Sequence, residues 1–262
     1  MLAELEGQTW FFPVRVAEFK PVSFLLSLKP SDRPFFIGDI LSAEIRADYL
    51  SGGPVAGARA KTLWFREAAR FSLQSEELAG FTFGPPDWDY RVSLETGEAV
   101  LDRDGKLRVS LKTGADGIKG MPYRYTLESR VMNQAMEEVS GNTDIIVHPA
   151  SFYIGSRFSG SDSEFYGSFA ETGKPQEVEY ILIDPLGNLV QPGNDTFIIA
   201  ELFKEDWRMA RQQGEDGRVI DRYEKVLELE ESLSFRPASS GSFSITPKEG
   251  SSYILRLSCE DN

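Results

Sequence analysis

Apolar residues along this chain recur at every second position in short runs that turn-forming residues interrupt, a pattern that suits half-buried strands and that no helix can bury. Lys106-Leu107-Arg108-Val109-Ser110-Leu111 alternates in this way, and so does Tyr123-Arg124-Tyr125-Thr126-Leu127-Glu128-Ser129-Arg130-Val131. The first of these runs is entered through Asp102-Arg103-Asp104-Gly105, which has the composition of a hairpin turn. Helix-compatible spacing occurs only from Glu67 to Leu78, where Ala68, Ala69, Phe71 and Leu78 share an imperfect face. A short helix or a loop fits that stretch equally well. Residues 84–99, with Gly84-Pro85-Pro86 and several acids, read as a long irregular connection.

The order of these runs repeats. Ser151-Phe152-Tyr153-Ile154-Gly155 stands where Val22-Ser23-Phe24-Leu25-Leu26 stood, and Val178 to Ile183 where Ala43 to Tyr49 stood. Thr196 to Phe203 answers Arg59 to Phe65, and each copy closes with a turn, an alternating strand and a last strand. About seven strands in roughly 100–130 residues is the composition of a sandwich. The chain of 262 residues is 41% hydrophobic and 12% aromatic, enough for two such cores. The expectation is an all-β chain of two tandem antiparallel β-sandwich domains. Residues 1–15 are a lead-in strand or linker from a preceding domain, 16–148 the first sandwich and 149–262 the second, with the boundary at His148-Pro149.

Lys and Arg number 28 against 41 Asp and Glu, a net charge of −13, so nucleic acid and anionic membrane surfaces are poor partners. No apolar run approaches the ~20 residues of a membrane span, and direct membrane insertion is not expected. A single cysteine, Cys259, excludes an intrachain disulfide and a cysteine zinc cluster. The first and last residues read as those of a piece of a longer protein.

Groups that exchange protons or attack are scarce. The one histidine, His148, precedes Pro149 in the apparent linker and reads as a solvent-facing or interface residue rather than the base of a relay. Carboxylate pairs such as Asp87 with Asp89 and Glu215 with Asp216 fall in loops, where solvated turns explain them. Asp102-Arg103-Asp104-Gly105 and Ser161-Asp162-Ser163-Glu164 could offer oxygen ligands to calcium, but the first lacks the spaced acids and terminal Glu of a dedicated loop, and turn chemistry is the better reading. The expectation is no catalytic, cofactor or metal site. Of the tryptophans, Trp64 reads as core, whereas Trp88 and Trp207 are placed in loops as interface or binding anchors.

Val16-Ala17-Glu18-Phe19-Lys20-Pro21 leads into an apolar strand, followed by Phe36-Ile37-Gly38-Asp39 and then Ala47-Asp48-Tyr49. Tyr49, Gly52, Pro54 and Gly57 then supply a Tyr-x-x-Gly-x-Pro-x-x-Gly segment, and Gly80-Phe81-Thr82-Phe83-Gly84 comes later. This order resembles consecutive macroglobulin domains of the bacterial alpha-2-macroglobulin family. The resemblance implies a non-catalytic scaffold segment of a broad-range peptidase inhibitor that traps proteases by conformational change. It further implies neighbouring domains of the same chain as partners, proteases as targets of the whole protein, and a periplasmic or extracellular location, with membrane anchoring through the parent. Cys259-Glu260-Asp261-Asn262 departs from the Cys-x-Glu-Gln of a thioester at its last two positions, and Trp10-Phe11-Phe12-Pro13 would be the tail of a preceding domain or a linker strand. Two other readings are a carbohydrate-binding or adhesive module of a secreted or surface protein, and a sandwich glycosidase using paired acids.

Overall fold

A computed structural model describes residues 2–5, 8–11, 22–73, 75–159, 170–213 and 219–259. Strands β1 (Leu2–Leu5) and β2 (Gln8–Phe11) form a hairpin sheet of their own. The next nine strands are β3 (Phe24–Pro30), β4 (Phe35–Phe36), β5 (Ile40–Tyr49), β6 (Arg59–Ala68), β7 (Thr82–Phe83), β8 (Val92–Val100), β9 (Lys106–Lys112), β10 (Tyr123–Met132) and β11 (Glu138–His148). Eight of them make two sheets, ordered β3-β5-β9 and β4-β11-β10-β6-β8. The alternation seen in the sequence now has a direction. β5 turns Leu41, Ala43, Ile45 and Ala47 inward, and β10 turns Tyr123, Tyr125, Leu127 and Val131 toward them, all buried in one core. Trp64 joins this core, as its place in a strand predicts.

The remaining strands are β12 (Tyr153–Phe158), β13 (Gln176–Ile183), β14 (Ile198–Gln213), β15 (Val219–Phe235), β16 (Ser240–Ile245) and β17 (Ser252–Cys259). Their sheets are ordered β12-β13-β16 and β15-β14-β17. Strand for strand this repeats β3-β5-β9 and β8-β6-β10, so the sequence repeat is a repeat of topology. The described residues are all-β, two sandwiches in tandem, antiparallel throughout except for the short parallel pair β4–β11. The second core is divided: Val178, Leu202 and Ile245 make one cluster, and Tyr180, Leu182 and Ile198 another.

Three local expectations change. Of the short helix and the loop left open for Glu67–Leu78, no α-helix forms: β6 continues to Ala68, and a single 3-10 turn, Glu76–Leu78, follows, capped by Ser75 through a hydrogen bond from the Glu77 amide. Its alanines reflect a strand packed into a core rather than helix propensity. The irregular connection expected at 84–99 extends only to Arg91; from Val92 it gives way to β8, an edge strand whose alternation is hidden because it is exposed on both faces. Finally, Asp102-Arg103-Asp104-Gly105 joins β8 to β9, which lie in opposite sheets, so it is an arch across the core rather than a hairpin. Gly105 is required there. Its φ is +70°, and a Cβ would stand 2.5 Å from the Ala47 carbonyl oxygen.

Leu127 is wholly buried in β10. Leu127→Ala is expected to lower the unfolding free energy in urea by roughly 2–5 kcal/mol. Val100→Ala, on the exposed edge, should change it by less than about 1 kcal/mol.

Candidate interdomain site

Between the two sandwiches, a segment of the first half crosses into the second. After β6 the chain runs outward through Phe71 and Leu73, makes the 3-10 turn and enters β7, whose two residues pair with β12 rather than with any strand of the first half. β12-β13-β16 thereby gains a fourth strand. Phe83 lies opposite Gly155, and that glycine is what admits it: a Cβ there would come within 2.4 Å of the Phe83 ring. The Phe71 ring stacks on Tyr153 at 3.8 Å and 10° and meets the Phe83 ring edge-on at 5.4 Å. With Leu78 and Ile183 these rings form a separate apolar cluster across the junction. Such ring pairs contribute about 0.5–1.5 kcal/mol each beyond area burial.

Polar groups fix the same crossing. Arg157, on β12, donates to the Ala79 carbonyl at 3.0 Å, lies over the Phe81 ring at 4.5 Å, and forms two bonds with Glu179. The hydrogen bonds from Arg157 hold the Glu179 carboxyl below its usual range. A cavity of about 300 Å³ opens beside the crossing, lined by Leu73, Ser75, Glu77, Leu78, Ile183 and Leu186 among others.

His148, the last residue of β11, sits at the centre. It is buried, as an interface residue and not a solvent-facing one, with Phe36, Phe71 and Tyr153 around its ring. Its carbonyl accepts from the Ile37 amide at 3.0 Å, and its Nδ1 lies 2.6 Å from the Tyr153 hydroxyl. The direction of that bond follows the imidazole tautomer. Burial pushes the Tyr153 phenol up, so it stays protonated, and burial lowers the His148 imidazole so that it stays neutral. A neutral, caged imidazole with a phenol partner ties the end of β11 to the start of β12.

The other candidates fall elsewhere. Asp89 accepts from the Tyr123 hydroxyl at 2.9 Å and lies 3.6 Å from Arg66, whose Nη1 donates to the Asp116 carboxylate at 2.8 Å. That network ties down two loops of the first sandwich. Asp102 Oδ1 accepts from the amides of Asp104 and Lys106, which is turn chemistry. Trp88 lies in an irregular segment, 52% exposed. Trp207 is 58% exposed but lies in β14, a strand and not a loop. Glu215, Asp216, Ser161 to Glu164, Val16 to Pro21, Phe12-Pro13 and Glu260 to Asn262 lie outside the described residues, as do the side chains of Trp10 and Phe11. Among the described residues, no group of three or more His, Cys, Asp or Glu could hold a metal ion, and no helix is long and apolar enough to cross a membrane. Sequence reasoning missed the crossing itself. Its only signal was Phe81-Thr82-Phe83 between two glycines, too short to show a period.

Comparison with known proteins gives a consistent picture. Residues 24–149 match the bacterial alpha-2-macroglobulin MG5 domain family. An alpha-2-macroglobulin homolog of Nostoc sp. is 25% identical over 251 residues, covering 94% of this chain and 12% of the homolog. The native conformation of Escherichia coli alpha-2-macroglobulin is similar in fold, with a TM-score of 0.68 at 17% identity over 96% of this chain and 16% of that one. The Escherichia coli protein activated by porcine elastase gives 0.64 at 18% identity, over 95% of this chain and 22% of that one. The chain thus spans about an eighth of the curated relative.

The neutral state of His148 has a measurable consequence. The imidazole titrates near 6.5 when unfolded and lower when folded, so in acid the unfolded chain binds the extra proton first. Stability from this residue is complete above about pH 7.5, begins to fall as pH drops through about 6.5, and goes on falling until the lower folded value is passed. Urea unfolding at the two ends of that window should show a loss in the native chain, and His148→Asn should flatten it.

Proposed function

We propose that this chain, which carries an MG5 domain of the bacterial alpha-2-macroglobulin family at residues 24–149, is a non-catalytic framework segment of a larger peptidase trap. Two macroglobulin-like domains, 16–148 and 149–262, act as consecutive rigid blocks, with 1–15 leading in from a preceding domain. The observation that carries the reading is the crossing: β7 and the aromatic cluster around Tyr153 join the sandwiches through packing and backbone pairing. Blocks joined in this way transmit displacement instead of absorbing it.

The Escherichia coli alpha-2-macroglobulin of similar fold has been solved both in its native conformation and activated by porcine elastase. In this protein the framework reading makes proteases the targets of the whole polypeptide and the other domains the direct partners of this segment. The reading also places it in the periplasm or outside the cell, with any membrane anchor supplied by the parent. Among the described residues, several groups that could do chemistry are otherwise engaged: His148 is caged, Asp89 and Asp102 hold loops, and Tyr153 is buried. This supports a structural role over an enzymatic one.

Residues 1–262 alone should leave trypsin cleavage of a large protein substrate unchanged at equimolar amounts, whereas the full-length parent should suppress it. Stoichiometric inhibition by the isolated chain, or none by the parent, would overturn the proposal.

A further inference from the structure

Strands β14 and β15 are far longer than their neighbours need. β17 pairs with β14 only from Ile198 to Glu205, so residues 206–213 and their partners on β15 continue as a two-stranded ribbon past the edge of the sheet. At its base, Ile198, Ala200 and Leu202 face the core with Phe235 and Leu233 opposite the first two. Leu227 and Leu229 share the parity of Leu233 and Phe235, and in a regular strand they would face the same way. They do not, because a bulge between Leu202 and Phe203 sets two β15 residues against one of β14: Leu202 pairs with Glu231, and Phe203 with Leu229. The extra residue, Glu230, turns everything beyond it over.

The consequence is an outward stripe. Leu229 and Leu227 lie opposite Phe203 and Glu205, and Tyr223 lies opposite Met209, with Trp207 between them on the same face. Leu229, Leu227, Trp207, Met209 and Tyr223 are all exposed, Tyr223 by 66%. The charges along this face are already matched. Glu205 pairs with Lys225 at 2.8 Å and accepts from the Trp207 indole at 3.1 Å, and Arg211 lies 3.3 Å from Asp221. A face whose charges are internally neutralised offers a partner little but apolar area, so the partner it fits is apolar and uncharged. An isolated two-stranded ribbon is also marginal in water without a packed face. The curated relative has material to supply one, since this chain covers only 12% of it.

We infer that the outward face of the β14–β15 ribbon docks on an apolar surface of another domain of the same polypeptide, with Trp207 and Tyr223 as its anchors. The inference deepens the framework reading and rests on it. Large aromatic side chains are the usual centres of such contacts, and burying them together turns a free ribbon into a strut between blocks.

Hydroxyl-radical footprinting tests this directly, because Trp, Met and Tyr are the residues it reads. Labelling of Trp207, Met209 and Tyr223 should fall several-fold in the full-length parent relative to residues 1–262. The triple variant Trp207→Ser, Met209→Ser, Tyr223→Ser should lower the melting temperature of the parent by several degrees and leave that of the isolated chain unchanged. Equal labelling in the two proteins would overturn the inference. So would protection of the isolated chain that grows with its concentration, which would assign the face to a second copy, or protection by added glycans. A trypsin-trapping assay on the same parent separates the two readings: trapping without protection overturns the docking face alone, and protection without trapping overturns the peptidase-trap reading alone.

Discussion

Phe71 and Tyr153 stack face to face across the boundary between two sandwiches, and the surrounding architecture is arranged so that they can. Phe71 reaches Tyr153 because the chain leaves the first sandwich after β6 and returns only at β8, having spent two residues as a strand of the other sheet. Phe83 completes the cluster because Gly155 leaves space opposite it. His148 is held at the same point by its backbone bond to Ile37 and its ring contacts. The connection between the blocks is therefore made of core-like packing and ladder hydrogen bonds, and not of a tether.

Much of the fold was legible because sheet burial imposes a period of two, and that period survives in β5, β9, β10 and β13. The order of strands was legible too, since Val178 to Ile183 and Thr196 to Phe203 occupy the central positions that Ala43 to Tyr49 and Arg59 to Phe65 occupy in the first copy. Where the reading went astray, the physics differs. β8 is exposed on both faces, so no alternation is imposed on it. Glu67–Leu78 carries small residues because a strand end is packed there, and small residues also favour helices. Trp207 looked like a loop residue because β14 beyond Glu205 has lost its core and become polar on one face.

The site was less legible than the fold for a related reason. Its residues, Phe36, Phe71, Phe83, His148 and Tyr153, come from five separate places in the chain, and none needs a neighbour in sequence to act. His148 was expected to be solvent-facing or at an interface, and the choice between these depended on a crossing too short to leave a period. What composition did convey is the shortage of reactive groups. Among the described residues, Asp102 caps a turn, Asp89 clamps a loop, and the histidine is kept neutral by burial.

The central claim is that the crossing strand fixes one sandwich against the other. Spin labels at Arg108→Cys on β9 and Ser234→Cys on β15, in a Cys259→Ser background, would report the distance between the blocks. Pulsed electron–electron double resonance should give a narrow distribution when Gly155 is intact. Gly155→Leu, which expels the Phe83 ring, should broaden it. A distribution already broad with Gly155 intact, or one that the substitution leaves unchanged, would contradict the account.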